Sequence, residues 1–338
     1  MSIPTHHRQW LINGRPVGRP LQDNDFLLTT SPVRAPGAGE VLLRTRYFGF
    51  DPAQKGWMEN IGGYVAPTEI GEVMRGSGVG EVIESNHPRL QPGDLVAGLL
   101  GWQEYPTIAG DGLEKIKNHD LATAHLGVLG TTGMTAYFGF LRVGKPQPGD
   151  TVVVSGAAGA TGSVVGQIAR IMGCRVIGLA GGKEKCDWIV SECGYDAAID
   201  YKSEDVRARL TQLCPNGIDV VFDNVGGAIL DHMLSKIALH ARVVICGGIS
   251  RYTVGKMPAG PQNYFNLIFM RATMQGFIVL DWMSEYPMAR RRMTDWLNAG
   301  RIAYKEDIQA GFENTPRTLM RLFQGENFGK QLLKLDVV

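Results

Sequence analysis

No cysteine precedes Cys174 in this chain, and the five that follow (Cys174, Cys186, Cys193, Cys214 and Cys246) form no C-x-x-C pair. An odd set confined to the middle of the chain does not make a disulfide framework, so reduced intracellular thiols are the simplest reading. The early histidines, His6, His7, His87, His119 and His125, show no metal-ligand spacing either. With no thiolate in the N-terminal part, a zinc Lewis acid is disfavoured there. Net charge is also lacking: 34 Lys and Arg offset 33 Asp and Glu. That balance leaves no footprint for nucleic acid or an anionic membrane. No apolar run approaches the roughly 18 residues of a membrane span. The opening, MSIPTHHRQWLINGRP, lacks the basic-then-apolar layout of a signal peptide. These absences together predict a soluble, cytoplasmic protein.

What is present centres on TVVVSGAAGATGSVVGQIARIM, residues 151–172. Thr151, Val152, Val153 and Val154 read as a short buried strand. A turn with Gly156, Gly159 and Gly162 follows, and then Val164, Val165, Ile168, Ile171 and Met172 recur at helical spacing. Strand, glycine turn and helix are the context in which a dinucleotide fingerprint carries meaning. The glycines let the backbone approach a pyrophosphate, and the helix start offers free N–H groups to it. The pattern departs from G-x-G-x-x-G at its first position, which is Ala157.

Residues 1–125 alternate short β-like runs with Gly/Pro turns, the texture of an irregular all-β domain. From 126 to 299 strands and helices alternate at the lengths of βαβ units. The runs TVVV, CRVIGLA, AAIDY, GIDVVFD, ARVVICGG and ATMQGFIVLDW predict six strands in the order 3-2-1-4-5-6 of a doubly wound Rossmann sheet. AILDHMLSKIAL reads as the helix after the fourth strand. Residues 300–338 turn β-like again, and their last strand is expected to return to the N-terminal domain. In the predicted order the cofactor crevice opens between the first and fourth strands. Those end in GAAGATG and DNVGG, both glycine-rich. After the second strand comes Leu179-Ala180-Gly181-Gly182-Lys183-Glu184-Lys185, with no acid at the strand end and two lysines close by. A ribose 2′-phosphate attracts cations and repels carboxylate, so NADP is favoured over NAD. The alternative is that Lys183 and Lys185 are solvated charges on a helix's first turn.

The segments PGAGEVLLRT, VVVSGAAGATGSVVGQIA, AGGKEKC, DNVGG, MQGFIV and GFENTPRTLMRLFQGENFGK together resemble the zinc-independent medium-chain dehydrogenase/reductases. The resemblance is to the NADPH-dependent alkenal/one oxidoreductase branch, which includes leukotriene B4 12-hydroxydehydrogenase/prostaglandin reductase and bacterial curcumin reductase. It implies a GroES-like β domain built from both termini, a Rossmann domain between, and a homodimer. It implies NADPH-driven reduction of the C=C bond of enals and enones, with hydride delivered to the β-carbon. Where zinc-dependent relatives hold their ligands, this chain reads Phe48-Gly49-Phe50-Asp51 and Arg75-Gly76-Ser77.

Carried over by position, Gly159, Ala160, Thr161 and Gly162 line the pyrophosphate turn. Lys185 and Tyr201 meet the 2′-phosphate, and Asn327 reaches the cofactor from the C-terminal segment. Thr135, Asn224, Cys246, Gly247, Phe277 and Val279 fall on the nicotinamide side. Asp51 matches a position at the active-site floor. Two tyrosines are candidates for the proton donor: Tyr264 in GPQNYFNLIF and Tyr64 in IGGYVAP. A phenol donates to an enolate oxygen without a metal. Each tyrosine can equally form an apolar wall, and the cofactor's ribose hydroxyl can share the work. The same residues also leave open a quinone reductase, or an NADPH-binding sensor without turnover.

Overall fold

A computed structural model describes residues 3–60, 63–252 and 259–335. The opening Ile61-Gly62 of IGGYVAP, part of the 251–266 loop and the last residues of KQLLKLDVV lie outside them. The chain divides into two compact units, Met1–Gly127 with Glu306–Val338, and Val128–Lys305.

In the first unit β1 (His6–Ile12) and β2 (Phe26–Pro32) form an antiparallel pair. The next strands are β3 (Glu40–Gly49), β4 (Ser77–Ser85), β5 (Leu95–Leu99), β6 (Thr107–Ala109) and β7 (Glu114–Lys115), with α1 (Ala53–Glu59) between β3 and β4. The second unit supplies α2 (Thr131–Phe138), β8 (Thr151–Ser155), α3 (Ala160–Ile171), β9 (Arg175–Ala180) and α4 (Lys183–Ser191). It continues with β10 (Ala197–Asp200), α5 (Val206–Leu213), β11 (Ile218–Asp223), α6 (Gly227–Leu234) and β12 (Ile237–Ile245). It closes with α7 (Asn266–Phe269), β13 (Thr273–Gly276) and α8 (Tyr286–Asn298). The chain then re-enters the first unit with β14 (Glu306–Ala310), α9 (Thr315–Gln324) and β15 (Lys330–Lys334).

The sheet of the second unit runs β10-β9-β8-β11-β12-β13, with every recorded pair parallel. Renumbered from β8 this is 3-2-1-4-5-6, the expected Rossmann order. Its interior strands are continuous runs of valine and isoleucine because both faces are covered: Val152, Val153, Val154, Val176, Ile177, Val220 and Val221 are all fully buried. The sheet of the first unit runs β14-β15-β3-β4-β5-β7, with β6 also on β3. β15 pairs antiparallel with β3, Leu332 opposite Gly49, so the C-terminal segment does return to the N-terminal domain.

Two elements are shorter than their sequences suggest. The helix over AILDHMLSKIAL stops at Leu234, because Ile237 joins the sheet opposite Ile218. Ladder bonds outweigh the helix propensity of Ala238 and Leu239. The strand over ATMQGFIVLDW stops at Gly276. Phe277 leaves the ladder to pack on Gly139, where an added Cβ would lie 2.3 Å from its ring, and beside Phe222 and Trp282.

Candidate active site

Ser155 ends β8, and Gly156 then turns with φ +59. That sign of φ suits glycine. Gly159 caps α3 with extended backbone, and Ser163 N donates to Gly159 O at 3.0 Å, closing the first turn. The N–H groups of Ala160, Thr161 and Gly162 are thus in the first turn of a twelve-residue helix, where backbone N–H groups lack intrahelical acceptors. A Cβ on Gly162 would sit 2.3 Å from Gly156 O and 2.9 Å from Ala157 Cα, so the turn closes only on glycine. One turn further on, Gly166 lies against the buried ring of Tyr195, whose hydroxyl donates to Gly162 O at 2.7 Å.

One buried residue ties three strand tips together. Asp223, 1% exposed at the end of β11, accepts from Ser155 Oγ at 2.6 Å, Val225 N at 3.2 Å and Gly226 N at 2.9 Å. Its backbone carbonyl accepts from Cys246 N at 2.9 Å and Gly247 N at 3.2 Å. Ser155 Oγ in turn accepts from Asn224 N at 2.9 Å. Gly156, Asn224, Cys246 and Gly247 are thereby gathered at one rim, the end of the parallel strands where ligands bind in such sheets. Asn224 Nδ2 donates one of its two hydrogens to Ser155 O at 2.7 Å, which orients the side-chain amide at the rim. Burial raises the Asp223 pKa, and burial beside Asp223 pushes the Cys246 thiol up to about 12, so the rim presents a neutral thiol. Ser155 and Asp223 escaped the sequence reading. Their partnership joins residues 68 positions apart, and only the D before NVGG hinted at it.

The tip of β9 forms a second corner. Tyr201 N donates to Ala180 O at 3.2 Å, and a Cβ on Gly181 would meet Tyr201 Oη at 2.6 Å. Tyr201 therefore covers the strand end that Lys185, half-buried in the first turn of α4, follows. Lys183 is committed to Asp187 at 2.5 Å. An acid does stand in this corner, supplied by the neighbouring strand: Asp200 Oδ1 accepts from Gly182 N at 2.8 Å, and that bond leads in holding its pKa low.

The remaining candidates make local contacts within their own units. Thr135 donates to Thr131 O at 2.7 Å within α2. Phe277 spends its ring on packing, and Val279 is buried with its carbonyl accepting from Tyr286 Oη at 3.4 Å. Tyr264 is 52% exposed on a surface turn, edge-on to Phe265 and beside Asn263, which holds Asp231 of α6. Tyr64 and Asn327 belong to the first unit. Tyr64 is exposed, and Asn327 Nδ2 donates to Gly329 O at 3.0 Å.

The residues that the resemblance sets against zinc-ligand positions are engaged in other contacts. Asp51 is paired with buried Lys330 at 2.6 Å, and Arg75 stacks its guanidinium over Trp57. Any side chain at Gly76 would lie 2.6 Å from Trp102 Nε1, so a buried indole fills the place of a ligand. Among the described residues no group of three or more His, Cys, Asp or Glu is placed to hold a metal ion, and no helix is long and apolar enough to cross a membrane.

Residues 8–116 match the family described as the N-terminal domain of oxidoreductase, and residues 160–295 the family described as zinc-binding dehydrogenase. The chain is 40% identical to the NADPH-dependent curcumin reductase of Escherichia coli, over 97% of each chain. It is 39% identical to the NADP(+)-dependent 2-alkenal reductase of Nicotiana tabacum, over 99% of each. Its fold matches CurA of Vibrio vulnificus in complex with NADPH, with TM-score 0.91 and 40% identity, over 98% of this chain and 100% of that one. The chain belongs to the medium-chain dehydrogenase/reductase superfamily, in its alkenal/one oxidoreductase branch.

Proposed function

We propose that this chain is an NADPH-dependent oxidoreductase that reduces the C=C bond of α,β-unsaturated aldehydes and ketones without a metal. The observation that carries the cofactor reading is the tip of β9: Gly181 overlain by Tyr201, lysines on the following turn, and the Asp200 carboxylate bound by backbone N–H groups. The names of the relatives above support the reaction class. Bound NADPH supplies a hydride for the β-carbon.

The chain's own residues do the rest. Gly159, Ala160, Thr161 and Gly162 hold the pyrophosphate on backbone N–H groups. Lys185 and Tyr201 take the 2′-phosphate. Thr135, Asn224, Cys246, Gly247, Phe277, Val279 and Asn327 border the rest of the cofactor, with Asn224 offering its side-chain amide and Cys246 a protonated thiol. As hydride arrives, negative charge grows on the substrate oxygen, and a phenol donor stabilises it there. Tyr264 is the first candidate and Tyr64 the second, with the cofactor's ribose hydroxyl sharing the role.

The chain acts in the cytoplasm as a homodimer. β13 ends its sheet, and beside it Tyr264, Phe265, Ile268 and Phe269 are all more than half exposed. An open strand edge next to an apolar patch favours pairing with a second copy, and sedimentation at the mass of a single chain would remove this part of the proposal. For the reaction, enals and enones incubated with enzyme and NADPH should bleach the absorbance of the reduced nicotinamide. NADPH binding without turnover of any of them would overturn the assignment.

A further inference from the structure

The corner at Gly181 holds a second lysine, which the resemblance does not assign. A Cβ on Gly181 would lie 3.0 Å from Lys202 Cε as well as 2.6 Å from Tyr201 Oη, so a lysine stem and a phenol together overlie the tip of β9. The charges around this corner are unequal. Lys183 is paired with Asp187, and Glu204 with Arg209 at 2.8 Å. Glu184 is exposed in the first turn of α4. Asp200 is bound at Oδ1 by Gly182 N at 2.8 Å and Lys202 N at 3.0 Å, and at Oδ2 by Ser203 Oγ at 2.8 Å. These donors keep Asp200 ionised, and an ionised carboxylate beside a phosphate repels it unless a cation intervenes. Lys202 donates its backbone N–H to the Asp200 carboxylate and runs its stem across Gly181, which is where such a cation belongs.

Resting on the NADPH reading above, we infer that Lys202 is a specificity-determining residue. Its ammonium offsets Asp200 and, with Lys185 and Tyr201, receives the 2′-phosphate.

The test is calorimetric titration of the cofactor-free chain with adenosine 2′,5′-bisphosphate and with adenosine 5′-monophosphate, at low and at high salt. The wild type should prefer the bisphosphate, and the preference should shrink as salt screens the charges. Lys202→Met should weaken bisphosphate binding about tenfold, as loss of one charged hydrogen bond does, and leave the monophosphate unchanged. Lys202→Arg should keep most of the preference. If Lys202→Met binds both nucleotides as the wild type does while Lys185→Ala loses bisphosphate affinity, the phosphate site stands and the role of Lys202 is overturned. Equal weakening of both nucleotides by Lys202→Met also overturns it, since that marks a structural residue. A wild type with no preference removes the NADPH reading, and the role of Lys202 with it.

Discussion

A phenol assists proton transfer only where it reaches the reacting oxygen, and Tyr264, half-exposed on its turn, is free of the close packing that immobilises Tyr195. Tyr264→Phe should therefore lower kcat while leaving NADPH affinity unchanged, as steady-state kinetics alongside a binding titration will show. Unaltered turnover moves the role to Tyr64 or to the ribose hydroxyl. Asp223 invites a different substitution. Asp223→Asn sets an amide N–H2 against the donors Gly226 N or Ser155 Oγ, and an unmet buried donor costs roughly 1–3 kcal/mol. Urea denaturation should register that loss, and NADPH affinity should fall with it because the rim loses its template. The loss has a pH signature. A carboxyl whose pKa is raised by burial favours the fold below its unfolded value and gives up that contribution as pH rises through the folded value. The asparagine variant lacks this titration, so its stability should vary less with pH over that interval. At this scale the sequence shows what is marked locally, such as the glycines of the turn between β8 and α3. It concealed Ser155, Asp223 and Lys202, whose roles come from strands paired far apart in the chain.

Elements were legible where one pattern dominated. The valine runs of β8 and β11 and the turn into α3 are visible because burial on both sheet faces demands continuous apolar residues and the turn demands glycine. Strand β13 and helix α6 were overextended, because the ring of Phe277 is drawn under Gly139 and Ile237 is drawn into a ladder, and neither partner is near in sequence. The junction between β8 and α3 yields the clearest prediction for an element. Gly162→Ala forces a methyl to within 2.3 Å of Gly156 O. The turn must open, at a cost of about 1–3 kcal/mol. The variant should still show the far-ultraviolet circular dichroism of the wild type, with weaker NADPH binding by calorimetry.

For the molecule as a whole, ligand linkage is the direct check on the cofactor. A ligand present at a hundred times its dissociation constant stabilises the native state by about 2.7 kcal/mol, so NADPH should raise the melting temperature clearly and NADH should raise it less. The interleaving of β15 with β3 has a consequence for how the protein is made. Leu332 and Leu333 pair with Gly49 and Phe48, and Lys330 grips Asp51. The ribosome delivers these partners almost a whole chain apart. The Rossmann unit, contiguous in sequence, can finish folding while still tethered, whereas the β unit must wait for its closing strand with its apolar edge bare. Nascent chains stalled before that strand emerges should be protease-resistant in the central unit and cleaved in the N-terminal one, and a chaperone that shields unpaired strands should be needed during that interval above all.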